Sequence, residues 1–395
     1  MASIEKRGKN SYRLVVELGY DANGKRIRRS KTVHVKTKRE AEKELAKFVT
    51  EIESGEYIAP EKMSFKNFVE NEWLKKYAEK ELALTTLNKY TSHFRSHILP
   101  FFGHKQLNDI KTLYIINFFN EIQKEGERKD GKSGQLSEIT VRDIYTILRS
   151  VFSNAVEWRV IPNNPMDGVK RPKVGKRNPN FYETDETQEI IRALYDEPAS
   201  WRLYFLGAML GGFRRGELTA LEWTDVDFDE NTITIRKSIS YTLQGKAVVK
   251  GTKTNEYERI VVMPEWYMRE LRKYYTEWKK ERLLVGDLWE GGDKQYVFHG
   301  GTGKPYYYTT PTKRWRKFLA KHDFRYIRLH DLRHTAATLL IEAGVDLKAI
   351  QERLGHSTYQ VTADIYAHVT KKVNKAAADK LERLAPKNLV PNSSP

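Results

Sequence analysis

His330-Asp331-Leu332-Arg333-His334-Thr335 opens a stretch in which Leu332, Ala336, Leu339 and Leu340 recur at helical spacing, so the segment reads as a helix with one apolar face and a charged head. His330 and Arg333 stand three apart and share a face, which lets an imidazole and a guanidinium converge on one anion. His330 and His334 are four apart, the spacing of a zinc-binding H-E-x-x-H helix. Asp331 stands where such a site needs its glutamate, so no metal site is expected.

Toward the N-terminus, Gly211-Gly212-Phe213-Arg214-Arg215-Gly216-Glu217-Leu218 places an arginine pair after a glycine turn and ahead of a helix bearing Leu218, Leu221 and Trp223. A cation at a helix start opposes the macrodipole, so helix stability does not account for it. Taken alone, Arg214 reads either as a surface partner of Glu217 or as a fork aimed at a phosphate. Lys253, in Gly251-Thr252-Lys253-Thr254 ahead of a strand expected over 259–263, is placed at a hairpin tip, where lysines are usually solvated. Lys246 and Lys250 lie nearby. Toward the C-terminus, Leu354-Gly355-His356 sets a histidine after the glycine expected to end a helix over 347–354. Tyr366 follows ten residues later; as one of 22 tyrosines near helix ends or elsewhere, it is by itself no more than a half-buried core residue.

The chain has 395 residues, enough for two or three domains, and its 39% hydrophobic and 12% aromatic content supports packed cores rather than disorder. No apolar run approaches the roughly 18 residues of a spanning helix, and no hydrophobic segment follows the first charges, so a cytoplasmic protein is expected. Zero cysteines exclude disulfides, thiolate metal sites and a cysteine nucleophile. The net charge of +17 builds a field that attracts polyanions, and without a basic amphipathic helix it favours nucleic acid over a membrane surface.

Domain boundaries follow from pattern changes. Residues 1–60 combine alternating stretches at 12–18 and 30–35, a turn at 21–24 and a helix opened by Thr37-Lys38-Arg39-Glu40, a capping-box signature; a small three-stranded sheet plus helix is expected. Between Lys6 and Arg39 the segment carries net +10, with Lys25, Arg26, Arg28 and Arg29 at its centre, either a solvated face or a nucleic-acid reader. Residues 64–165 read as four helices in an all-α bundle, with a Gly-, Lys- and Ser-rich loop at 125–138. Residues 166–180 form a basic linker holding Lys170, Arg171, Lys173, Lys176 and Arg177, stiff enough to track a phosphate backbone. Residues 181–385 mix helices with strands as an α+β domain, and 386–395 read as a disordered tail.

Each motif alone is ordinary; the ordered set is specific. G-F-R-R-G-E-L, then K-T, then H-D-L-R-H-T, then L-G-H, then a tyrosine ten residues on resembles the tyrosine recombinase (phage integrase) family, closely over the last domain and in layout over the whole chain. The resemblance implies an arm-binding domain, a helical core-binding domain and a catalytic domain, in a phage or integrative-element integrase. It implies Arg214 and Arg333 as the arginine pair, Lys253 as the hairpin lysine, His330 and His356 as the histidines, Tyr366 as nucleophile and Glu217 as a site-orienting acid.

In that chemistry a phenol attacks a DNA phosphodiester, leaving a 3′-phosphotyrosyl enzyme and a 5′-hydroxyl, with the bond energy kept in the phosphotyrosine. No nucleotide-binding loop is needed, and no G-x-x-x-x-G-K-[ST] is present. A phenol of pKa near 10 needs a base, for which His330 is placed. Arg214 and Arg333 would stabilise the growing phosphate charge, Lys253 would protonate the leaving oxygen, and His356 would donate a hydrogen bond, so neither cofactor nor metal is expected. Expected partners are double-stranded DNA at core and arm sites, three further protomers in a homo-tetramer, a DNA-bending factor and an excisionase. An apolar stripe of Val373, Ala377, Leu381 and Leu384 is expected to dock on a neighbouring protomer. A type IB topoisomerase-like enzyme and a non-catalytic DNA-binding protein are the alternatives; the basic first segment argues against the former and the motif set against the latter.

Overall fold

The computed structural model describes residues 2–20, 26–53, 63–175, 180–243, 246–251 and 258–366. The chain divides into two compact units, residues 1–176 and 177–395.

The first unit begins with β1 (Ala2–Gly8), β2 (Ser11–Tyr20) and β3 (Arg26–His34), an antiparallel sheet in that order. Leu14 and Val16 project from β2 onto the helix Lys38–Glu53, whose Phe48 is fully buried between them. Thr37 Oγ1 accepts the Glu40 N–H and the Glu40 carboxylate accepts the Thr37 N–H, each at 3.2 Å, so the helix starts with the expected capping box. Strand register sorts the basic residues. Arg29 stands opposite Val16 and Lys31 opposite Leu14, on the helix-covered face, and Lys31 Nζ lies 5.9 Å from the Phe48 ring centre. Arg28 stands opposite Glu17 on the other face, and Arg26 and Arg28 both pair with that carboxylate. The run 26–29 is therefore divided between two faces by the pleat. Lys25 lies outside the described residues.

The bundle follows as four helical runs: Phe65–Asn67 continued through Phe68–Ala78 and Glu79–Glu81; Leu84–His93 continued through Phe94–Ile98 and Leu99–Phe102; Thr112–Ile122; and Glu138–Glu157. Phe65, Phe68, Trp73, Phe102, Phe118 and Phe152 meet in an aromatic core, and the Trp73 indole donates to Asn154 Oδ1 at 2.8 Å, which satisfies its buried polar edge. Met166 and Val169 are buried in the same core, and Tyr145 donates to the Val169 carbonyl at 3.3 Å. The bundle thus continues past Pro165, because two apolar residues of the expected linker have a core to enter. Lys170, Arg171 and Lys173 are exposed; Lys176 and Arg177 lie outside the described residues.

The second unit is built around the helix Ala199–Leu210, in which every residue from Leu203 to Met209 is buried. Helices Glu265–Val285 and Asp331–Glu342 pack against it. Strands β4 (Val226–Asp227), β5 (Thr232–Ile235) and β8 (Arg259–Val262) form one antiparallel sheet, while β6 (Lys237–Leu243) and β7 (Lys246–Gly251), among the described residues, pair with each other alone. Lys253 lies outside the described residues. The strands that flank it belong to different sheets, so the hairpin expected around it is not among the described pairings; β8 is drawn to β5 because Ile233, Ile235 and Val261 share one buried face. A smaller core of Ala336, Ala337, Ile341, Ile350, Leu354 and Ile365 joins the last helices. No helix among the described residues is long and apolar enough to cross a membrane. The stripe 373–384 and the tail 386–395 lie outside the described residues.

Candidate active site

The turn after Ala199–Leu210 sets the first arginine. Gly212 has φ +62°, and a Cβ there would collide with the Leu354 side chain, so only glycine lets the chain pass between the helices Asp331–Glu342 and Leu347–Leu354. Its carbonyl accepts a 2.7 Å hydrogen bond from Arg333 Nη1. Two residues on, Arg214 caps the helix Arg215–Ala220 in extended conformation, and its backbone N–H donates to Glu217 Oε2 at 2.8 Å. Its side chain returns to the same carboxylate, Nη1 to Oε1 at 2.7 Å, and Nη2 donates to the Gly355 carbonyl at 2.6 Å.

Gly355 faces Arg214 because it ends Leu347–Leu354 in the left-handed conformation, φ +64°, as its position after Leu354 suggests. The chain then turns to His356, whose Nδ1 sits 2.9 Å from Oγ1 of the fully buried Thr362. That contact fixes the ring and leaves Nε2 to face elsewhere. Tyr366 is the last described residue of the helical segment 359–366, half-buried against the small core shared by the helices that carry Arg333 and precede His356.

Arg333 is 2% exposed and its Nη2 is shielded from solvent without a hydrogen-bond partner. A buried guanidinium with an unused donor is the arrangement expected of an anion-binding group. Burial, then the neighbouring Arg214, lowers its pKa to about 9, which leaves it charged at neutral pH. Glu217 keeps its charge although burial opposes it, because the Arg259 fork and the Arg214 guanidinium hold its carboxyl below the ordinary range. His356 is pushed down to about 3 by burial and by Arg333 and Arg214, so it is neutral. His330 caps Asp331–Glu342 with a solvent-facing ring; desolvation by the surrounding protein, then Arg333, lowers its pKa as well.

Arg214, Glu217, His330, Arg333 and His356 are therefore brought into one electrostatic neighbourhood, as their order in the sequence suggests. His334 lies edge-to-face on His330 at 5.6 Å. Asp331 is fully buried and takes the Arg328 guanidinium through both oxygens, so it cannot serve as the acid of a zinc helix. Two participants carry no motif: Arg259, which binds Glu217, and Thr362, which holds His356. An arginine heading the otherwise apolar strand Arg259–Val262 is a faint signal for the first; nothing local marks the second.

Comparison with known proteins matches residues 180–373 to the Phage integrase family and residues 64–123 to the Phage integrase, N-terminal SAM-like domain. The chain belongs to the tyrosine recombinase (phage integrase) family. A tyrosine recombinase XerC-like protein of Caldanaerobacter subterraneus subsp. tengcongensis is 29% identical over 96% of this chain and 97% of its own length. The ICEBs1 integrase of Bacillus subtilis is 28% identical over 97% of this chain and all of its own. In structure, the chain resembles the Tn1549 transposon integrase solved with transposon right end DNA (TM-score 0.65, 18% identity, 82% of this chain, 100% of that one). A lambda integrase dimer bound to a core site matches at TM-score 0.56 and 18% identity over 92% of this chain and 93% of that one. These likenesses establish the fold. As a tyrosine recombinase the protein is a DNA strand transferase acting in site-specific recombination.

Because the recombinase threads Gly212 between two helices, Gly212→Ala is expected to lower stability by more than the about 1–3 kcal/mol of a strained backbone alone. Thermal unfolding with hydrogen exchange over 331–356 checks this; unchanged exchange there would contradict it.

Proposed function

We propose that this recombinase is an integrase of mobile-element type whose Tyr366 phenolate attacks a DNA phosphodiester, forming a 3′-phosphotyrosyl bond and releasing a 5′-hydroxyl. His330 takes the phenol proton. Arg214 and Arg333 grip the non-bridging oxygens, where charge grows in the five-coordinate state. His356 adds a hydrogen bond, Lys253 gives the leaving oxygen its proton, and Glu217 orients Arg214. Attack of the released 5′-hydroxyl of a partner duplex on the phosphotyrosine reseals the strand and restores the phenol, by way of a Holliday junction.

The observation that carries this reading is the meeting of two arginines from distant segments around Gly212, Glu217 and Gly355, with Arg333 keeping an unused donor in a buried setting. The described residues include no group of three His, Asp or Glu placed to hold a metal, and the guanidinium pair supplies the positive charge such a reaction requires. Double-stranded DNA is the substrate, in keeping with the family and with a net charge of +17. Supporting an arm-binding role for residues 1–60 are the exposed Arg26, Arg28 and Arg29, with Lys25 beside them in sequence; the exposed Lys170, Arg171 and Lys173, with Lys176 and Arg177 following in sequence, support a linker that tracks the DNA backbone. Exchange of two duplexes calls for four active sites, hence a homo-tetramer on DNA in the cytoplasm, tied together by residues 371–384 in trans and directed by a DNA-bending factor and an excisionase.

Tyr366→Phe is expected to abolish covalent adduct on a suicide DNA substrate while leaving affinity within about twofold, since one hydroxyl is lost from a site held by phosphate contacts. An adduct surviving in that variant would transfer the role to another residue, Tyr359 first. A second expectation concerns pH. A base works when neutral, and the His330 pKa lies below its ordinary 6.5, so cleavage at subsaturating DNA should hold its plateau as pH falls to 6.5 and decline only below it. An acid limb centred at or above 6.5 would contradict the assignment.

A further inference from the structure

A third guanidinium enters the site from a segment that carries no motif. Arg259 heads β8, only 12% of its side chain is exposed, and it meets Glu217 fork to fork, Nη1 to Oε1 at 3.1 Å and Nη2 to Oε2 at 2.6 Å. Its Nε donates to the Arg353 carbonyl at 3.1 Å. Each Glu217 oxygen thus accepts one hydrogen bond from Arg259 and one from Arg214.

Two consequences follow from this geometry. The first is charge. A carboxylate facing Arg214 alone would cancel the charge that Arg214 offers a phosphate, whereas with Arg259 on its other side the trio keeps one positive charge, and Arg333 makes two. The second is position. The Arg214 guanidinium rests on two acceptors, Glu217 and the Gly355 carbonyl, and Arg259 holds both: Glu217 by its fork, and the turn at Gly355 through the carbonyl of Arg353 two residues earlier. A Cβ on Gly355 would come within 3.1 Å of the Arg259 guanidinium, so that turn and the fork are in direct contact. Only a planar fork closes this arrangement; an ammonium at the same place supplies charge without the two-point grip.

We infer that Arg259 is a positioning residue for strand cleavage: through Glu217 and the turn at Gly355 it fixes the Arg214 guanidinium in the orientation that meets the scissile phosphate. The inference rests on the reading of Arg214 as a phosphate-binding group. It also gives β8 a reason to enter the sheet at Arg259, the first described position after Lys253 and its neighbours apart from Glu258.

The test uses the full-length protein on a suicide DNA substrate. Arg259→Lys keeps the charge and loses the fork; the expected result is at most a modest loss of thermal stability and DNA affinity within about twofold, with single-turnover cleavage at saturating DNA slowed about 10- to 100-fold, the scale of a small misplacement of a reacting group. Arg259→Ala should cleave as slowly, and added methylguanidinium should restore it at least in part. A plain structural ion pair would shift stability without this split between rate and affinity and without chemical rescue. Cleavage by Arg259→Lys within about twofold of the unmodified protein overturns the inference, as does loss of DNA affinity in proportion to rate. Arg214→Ala separates the two levels of the argument: if it still cleaves, the reading of the site falls and the inference with it, whereas a dead Arg214→Ala beside a normal Arg259→Lys removes the inference alone.

Discussion

The buried carboxylate of Glu217 is the constraint on which the rest of the site depends. At 5% exposure it could not remain ionised without partners, and it has four donors: the Arg214 backbone, the Arg214 guanidinium and both arms of the Arg259 fork. A buried charge with fewer partners would protonate or destabilise the fold. Satisfying it draws three separate pieces of chain to one point: the turn after Ala199–Leu210, the head of β8, and the end of Leu347–Leu354.

Around that anion the protein gathers more positive charge than it neutralises. Arg333 is held by the Gly212 carbonyl rather than by an acid, so its charge is not cancelled in place. Mutual repulsion among Arg214, Arg259 and Arg333 is a cost of this arrangement, and in the proposed reading a phosphate entering the site would relieve it. Binding energy that grows with the charge of the phosphate oxygens would then favour the five-coordinate state over the resting diester. His356 and His330 fit this setting because their lowered pKa values keep them from adding further charge.

Much of this was legible in the sequence because it is local. The capping box at Thr37 and Glu40, the helix stop at Gly355 and the Arg214–Glu217 pair all join residues within a few positions, where spacing alone fixes geometry. The aromatic periodicity of the bundle was equally clear, since its buried residues recur at helical spacing. What escaped the sequence joins distant segments. Arg259 lies 42 residues from Glu217, and the buried Thr362 looks like any threonine until His356 is placed against it. Strand pairing depends on distant residues in the same way: β8 pairs with β5 rather than with its sequence neighbour β7, because Ile233, Ile235 and Val261 share one buried face. The bundle's extension to Val169 depends likewise on an apolar pocket supplied by other helices.

The most direct test of the central claim is single-turnover cleavage by Glu217→Gln, which keeps the shape but turns one of the two acceptor oxygens into a donor and removes the charge that gathers the arginines. DNA affinity should be kept or strengthened, since the site gains net positive charge, while cleavage slows about 10-fold or more because Arg214 loses its fixed orientation. Cleavage within about twofold of the unmodified protein, with affinity unchanged, would contradict an account in which this one carboxylate sets the geometry of the site.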